Sequence, residues 1–236
     1  MSQTMPTELK WSRFFDGHTH LPIKPGVLPQ KMIINGTRTE ELAALRQESL
    51  IPNRLVGFGI HPWFVSSVEN LPDIEIYAEF AFVGEIGLDR SVRHRSNYET
   101  QVQCVQRQLD IASLLNKNVC FHLVKAYADT YKILQEYHGS VFFHGYRGSL
   151  EFANSLKTDL CFFGFSAKQL KTRKGAYIAS HLPLNRIILE TDTSPCLGLI
   201  KEAYQILSHL KKVSIEHIHK HQKQNLEDWL SYSRSC

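Results

Sequence analysis

Residues 118–165 read NVCFHLVKAYADTYKILQEYHGSVFFHGYRGSLEFANSLKTDLCFFGF. Three short apolar runs stand in this stretch: NVCFHL (118–123), VFFHG (141–145) and LCFFGF (160–165). Between them lie AYADTYKILQEYH and SLEFANSLK, longer segments that mix apolar and polar residues as helices do. A run of five or six residues that is apolar at nearly every position fits a strand covered on both faces, as parallel strands are. The pattern therefore reads strand, helix, strand, helix, strand.

The same alternation extends in both directions. Upstream lie RFFDGH (13–18), KMIIN (31–35), LVGFGI (55–60) and FAFVGEI (80–86), and downstream RIILET (186–191). Helical segments fall between most of them: ELAALRQES, the long NYETQVQCVQRQLDIASLLN and TRKGAYIASHL. Two further helices are expected over 200–212 and 215–230, the second capped by Ser214. Eight strands alternating with helices predict an α/β fold, a parallel (β/α)8 TIM barrel. The first connection, LPIKPGVLPQ, is too broken by proline for a helix, so the barrel should be distorted at its start. No repeat, low-complexity segment or linker divides the chain, and residues 1–236 are expected to form a single barrel domain.

Composition narrows the function classes. The chain is 43% hydrophobic and 21% charged, which excludes a disordered or collagen-like polymer. No apolar run has the roughly 18 residues of a membrane span. MSQTMPTELK lacks the pattern of a signal peptide, and Cys104, Cys120, Cys161, Cys196 and Cys236 are scattered without a C-x-x-C pair. Reduced thiols and a cytoplasmic location are the expectation. A net charge of +4 is far from that of a basic tail, and no zinc finger, RNP motif or basic helix marks a nucleic-acid module. No obligate protein partner is evident.

Twelve histidines are the unusual feature. His18 and His20 close the first run as H-x-H, His61 follows the third, and Glu85 lies near the end of the fourth. His122 ends the fifth, His144 the sixth, and Asp192 follows the eighth. In a barrel the C-terminal strand ends form the catalytic face. Residues i and i+2 of a strand point the same way, so His18 and His20 can hold one ion together. Singly, His61 or His122 reads better as a packed core histidine, and Asp192 as a turn cap. A carboxylate within VGEIGL is costly to bury without a charge partner. Chance would have to place such a residue at a strand end six times over.

The blocks FFDGHTHL, VGFGIHPW, FVGEIGLD, VCFHLVKA, FFHGYRGS and IILETDTSP resemble, in that order, the motifs of the TatD family of metal-dependent hydrolases, and the variants around 125 and 146 look most like its compact bacterial branch. The resemblance implies a distorted barrel with two divalent cations and hydrolysis of phosphodiesters at DNA ends. By position, His18, His20 and Asp192 would hold one cation, His122 and His144 the other, and Glu85 would bridge. His61 would orient substrate in the pocket or support a ligand from behind it.

The chemistry of these residues is consistent with that implication. Imidazole and carboxylate ligands suit Zn, Mn, Ni or Mg. Two cations about 3.5–4 Å apart acidify a shared water and polarise the electrophile, and Asp192 is the expected general base. Two carboxylates against four metal charges favour an anionic substrate, DNA or a small phosphodiester. Lys125 and Arg147, just past the His122 and His144 positions, are the expected substrate contacts, with Arg90, Arg93 and Lys168 adding to the basic rim. The alternative is an amidohydrolase-type enzyme, a deaminase or lactonase that cleaves a C–N or C–O bond in the same barrel.

Overall fold

The computed structural model describes residues 14–24, 26–91, 97–156, 160–193 and 195–231. Eight parallel strands lie in chain order: β1 (Phe15–Thr19), β2 (Lys31–Asn35), β3 (Arg54–Phe58), β4 (Phe82–Asp89), β5 (Val119–Val124), β6 (Val141–Phe143), β7 (Cys161–Ser166) and β8 (Ile187–Glu190). The expected TIM barrel is what the chain forms. Its helices are α1 (Leu42–Ser49), α2 (Ile74–Ala78), α3 (Tyr98–Leu114), α4 (Tyr127–Ile133), α5 (Leu150–Ser155), α6 (Ala167–Leu170), α7 (Arg173–His181), α8 (Leu197–Lys211) and α9 (Ile215–Ser231). The short α2 and α6 have no counterpart in the sequence reading, since one turn or so of helix carries no visible periodicity. β4 runs three residues further than FAFVGEI suggested, through Gly87, Leu88 and Asp89. Arg93 lies outside the described residues.

No helix joins β1 to β2 among the described residues, and the seam between β8 and β1 combines an aspartate side chain with backbone bonds, among them the His20 amide to the Thr193 carbonyl (3.1 Å). Asp16 accepts hydrogen bonds from the Thr191 amide (2.9 Å) and hydroxyl (2.6 Å), while the Asp192 amide donates to the His18 carbonyl (3.0 Å). The helix-free connection from β1 to β2 is the distortion expected at the start of the barrel.

The barrel interior has an apolar floor to which every strand contributes: Phe15, Ile33, Leu55, Phe82, Cys120, Phe142, Phe162 and Ile188. α9 closes it from below with the fully buried Trp229, whose ring lies 4.9 Å from Phe82 and 5.3 Å from Phe142. Burying aromatic rings of this size is worth about 1.5–3 kcal/mol each. Above the floor the interior turns polar. His122, His144 and Glu190 stand two residues beyond Cys120, Phe142 and Ile188, on the same face of their strands.

His18 and Glu85 do not follow that spacing, because each lies three residues beyond its floor residue, Phe15 or Phe82. At both places the ladder slips: β1 loses register with β2 between Asp16 and Thr19, and β4 with β5 between Val83 and Ile86. An irregularity of this kind re-aims the next side chain. It turns His18 and Glu85 into the barrel.

Candidate metal centre

Helix-borne amides hold the strand ends that carry the polar layer. Gln108 of α3 accepts from the Ile60 amide (2.7 Å) and donates to its carbonyl (3.1 Å), which fixes the backbone just before His61. Gln101, two turns earlier, accepts from the Asp89 amide at 2.8 Å. Gln222 of α9 does the same for β8, accepting from Leu189 (2.7 Å) and donating to Ile187 (2.8 Å). Gly145 follows His144 with φ of 54°, a left-handed conformation glycine adopts freely, and its amide reaches Glu190 Oε1 at 2.6 Å. Gly164 leaves space for the same carboxylate: a Cβ there would lie 2.2 Å from Glu190 Oε2.

At the centre is Glu85, 2% exposed. Its Oε2 faces His18 Nε2 (3.4 Å) and His20 Nε2 (3.3 Å), which are 2.9 Å from each other. Its Oε1 faces His122 Nδ1 (2.9 Å), His144 Nε2 (2.8 Å) and His61 Nε2 (3.0 Å). Asp192 approaches from above, its Oδ1 3.4 Å from His144 Nδ1 and 3.9 Å from His18 Nε2. One carboxylate thus has a separate set of imidazoles at each oxygen.

The outer nitrogens of these rings decide what the inner ones offer. His20 Nδ1 donates to the Asn35 carbonyl (3.1 Å) and His122 Nε2 to Asp89 Oδ2 (3.1 Å), so each, as a neutral ring, turns a lone pair inward. His18 Nδ1 meets Cys120 Sγ at 3.3 Å, a thiol that can accept from Nδ1–H when Nε2 gives its lone pair to an ion. His61 is the reverse. Its Nδ1 accepts from the Trp63 amide (3.1 Å), so the neutral ring carries its hydrogen on Nε2 and donates to Glu85. Its position alone would let it share an ion with Glu85 and His122; its tautomer makes it a hydrogen-bond donor.

Burial opposes the charge on Glu85, but His144 and His61, with hydrogen bonds from His122 and His144, hold it well below the usual carboxylate range. Burial likewise opposes charge on His144 and His122, yet carboxylates outweigh it: Glu85 and Asp192 for the first, Asp89 and Glu85 for the second. Both are raised. His18 and His61 go the other way, lowered by burial to about 3 and about 4. Asp192 stays ionised, held low by His144 and His18 against its burial. Glu190, fully buried beside Asp192, is pushed well above the usual range. Burial raises Asp16 to about 7 despite its bonds from Thr191. In this cluster protons on His122 and His144 supply positive charge that the carboxylates need.

A divalent cation fits that need. Of the six buried side-chain atoms without a hydrogen-bond partner among the described residues, three belong here: Glu85 Oε2, His144 Nδ1 and Glu190 Oε2. Such orphaned atoms are costly in a folded interior. Ligating atoms of His18, His20 and Asp192, of His18, Glu85 and His144, and of His144, Glu190 and Asp192 lie within 4.8 Å of one another. Imidazole with carboxylate is a donor set for first-row divalent ions.

The cluster floors an open cleft of ≈ 740 Å³. His20, His61, Glu85, His122, His144 and Asp192 line it, and so does Arg147 on the rim. Lys125 is exposed, with φ of 54°, and is not among the lining residues. Arg90 is engaged locally, paired with Asp129 (2.7 Å) over the Tyr98 ring (4.1 Å).

Residues 26–231 match the family model described as TatD related DNase. The chain belongs to the TatD family. It is similar to the TATDN1 homolog of Vairimorpha ceranae, 30% identical over 139 residues, which cover 58% of this chain and 51% of that protein. It is also 30% identical over 163 residues to the human deoxyribonuclease TATDN3, covering 63% of this chain and 59% of the relative. The chain thus spans about half the length of the first of these and little more of the second. Among solved structures, the TatD homolog YjjV of Escherichia coli superposes with a TM-score of 0.76 at 21% identity, over 93% of this chain and 98% of that one, a likeness of fold.

In this TatD chain the sequence reading missed the residues that orient the cluster. Asp89 had a local signal, standing four residues after Glu85 in FVGEIGLD. Glu190 had the signal of Glu85, a carboxylate ending an apolar run, while Asn35 and Cys120 gave none, because their roles depend on which strand lies alongside.

Proposed function

We propose that this TatD-family chain is a divalent-metal-dependent hydrolase of phosphodiesters, working at DNA ends, with residues 1–236 as one barrel domain. The observation that supports it most is the division of Glu85 between two sets of imidazoles. In this reading His18, His20 and Asp192 hold one cation, His122 and His144 the second, and Glu85 bridges. Zn, Mn, Ni and Mg are the ions to try. When bound, they supply positive charge and Lewis acidity at the reacting phosphoryl group.

The chain's own residues do the rest. Asp192, ionised and 32% exposed at the cleft, takes the proton of the attacking water as general base. His61 presents its Nε2–H at Glu85 Oε1, where an incoming phosphoryl oxygen can share the same hydrogen. Arg147 places a permanent positive charge on the rim, suited to a neighbouring phosphate. No helix among the described residues is long and apolar enough to cross a membrane.

The test is a panel of phosphodiesters, phosphomonoesters, lactones and amides, run with metal-stripped and reconstituted protein. Metal-dependent cleavage of a labelled oligonucleotide, abolished in Glu85→Ala and Asp192→Ala variants that melt as the parent does, is the expected result. An intact oligonucleotide beside turnover of a lactone or amide would transfer the assignment to C–O or C–N hydrolysis.

A further inference from the structure

Two aromatic side chains stand open at the mouth of the cleft. Trp63 and Phe64, 41% and 43% exposed, follow closely on His61 and line the same cavity as Glu85, His122 and Arg147. The other exposed large apolar residues among those described, such as Leu50, Leu114 and Tyr177, lie away from it. Two adjacent aromatics left half open beside a cluster of imidazoles and carboxylates call for an apolar, planar ligand surface.

Trp63 is held rigidly. Its indole N–H donates to Asp89 Oδ2 (2.7 Å), the atom that also accepts from His122. Its ring meets His61 edge-on at 4.8 Å and His122 at 5.9 Å. The indole is therefore fixed one ring contact from imidazoles that reach Glu85. Phe64 carries the Arg38 guanidinium 5.0 Å from its centroid, and Arg38 pairs with Glu41 at 3.4 Å on the same rim. Open aromatic surface interleaved with cations is how proteins hold unpaired nucleotides, base on ring and phosphate on cation.

We propose that Trp63 and Phe64 form a nucleobase-stacking platform, which takes an unpaired base next to the phosphodiester in the cleft. The proposal rests on the phosphodiesterase reading and adds the substrate's bases to it. Stacking uses the face that every base shares, so the platform favours unpaired ends and tolerates sequence. A base within a duplex keeps its faces against its neighbours and gives the platform nothing.

The test compares an eight-residue phosphorothioate oligothymidylate with an oligomer of the same length and backbone carrying abasic tetrahydrofuran units. Both carry a fluorescent end label and are mixed with metal-loaded protein, affinity being read from the anisotropy of the label while tryptophan emission is followed. The chain also carries Trp11 and Trp229, so the titration is repeated in Trp63→Leu, and the part of the emission change lost there reports on Trp63. The base-bearing oligomer is expected to quench emission and to bind roughly tenfold more tightly than the abasic one. Phe64→Ala and Trp63→Leu should each erase most of that preference, and Phe64→Tyr should keep it. Equal affinity for the two oligomers in the parent protein, or equal losses on both in Phe64→Ala, would overturn the platform even if DNA is cleaved. Base-dependent quenching without cleavage of any phosphodiester would instead leave the platform standing and remove the hydrolase assignment.

Discussion

Asp89 Oδ2 lies 3.1 Å from His122 Nε2 and 2.7 Å from the Trp63 indole nitrogen, so one carboxylate oxygen ties an inward-facing imidazole to the rim of the cleft. Asp89 is itself held by its backbone, through Gln101, and by the Ser91 amide at 2.6 Å. Partners of this kind fix the tautomer of the ring and raise its basicity, and their loss costs about 10–100-fold in metal affinity or activity. Asp89→Ala is expected to raise the metal concentration for half-maximal activation within that range. Metal titration of activity checks it, and an unchanged midpoint would make the contact merely structural.

His122 and His144 both hold protons above the ordinary histidine pKa, because carboxylates outweigh their burial. Cations must displace those protons, so metal affinity should weaken as pH falls and strengthen as it rises through their raised pKa values. His18, lowered to about 3, is already proton-free near neutrality and adds no such dependence. Calorimetry of metal binding in buffers of different ionisation enthalpy should show net proton release. Binding without proton release at neutral pH would contradict the protonated His122–His144 pair.

His61 separates donor from ligand. With its Nδ1 occupied by the Trp63 amide, it offers a hydrogen to the cluster and no lone pair. His61→Ala should therefore keep the metal content of the parent protein and lose turnover, by about 10²–10³-fold if the donor acts on developing charge. Elemental analysis beside kinetics checks both halves. Loss of one equivalent of metal would make His61 a ligand.

Arg147 and Lys125 differ in position, and the difference should be measurable. Each phosphate contact to a single strand contributes about 0.7 to the slope of log affinity against log salt. Arg147→Ala should remove close to one contact, because Arg147 lines the cleft. Lys125→Ala should change the slope less. Equal effects of the two substitutions would mean that DNA leaves the cleft on the Lys125 side.

Trp229 plugs the barrel at the end opposite the cleft, so its loss should act on stability and not on chemistry. Trp229→Ala is expected to cost about 3–5 kcal/mol. Denaturant unfolding measures it, and kcat at low temperature should stay near the parent value. A variant as stable as the parent would mean that the floor repacks around the gap.

The alternation of short apolar runs with amphipathic stretches determined the barrel, because doubly covered strands and one-face-buried helices have patterns that a local window contains. His122 and His144 were legible for the same reason: each stands on a regular strand, two residues past an apolar floor residue. His18 and Glu85 were visible by residue type, but their aim into the barrel was not. It depends on slipped register against β2 and β5, and register is set by the neighbouring strand. Tertiary structure alone also put Asp89 behind His122, Trp63 beside Asp89 across 26 residues, and the proton of His61 on the nitrogen that faces Glu85. A side chain's chemistry belongs to the sequence; which atom it presents, and to what, is decided by partners that the chain brings together only on folding.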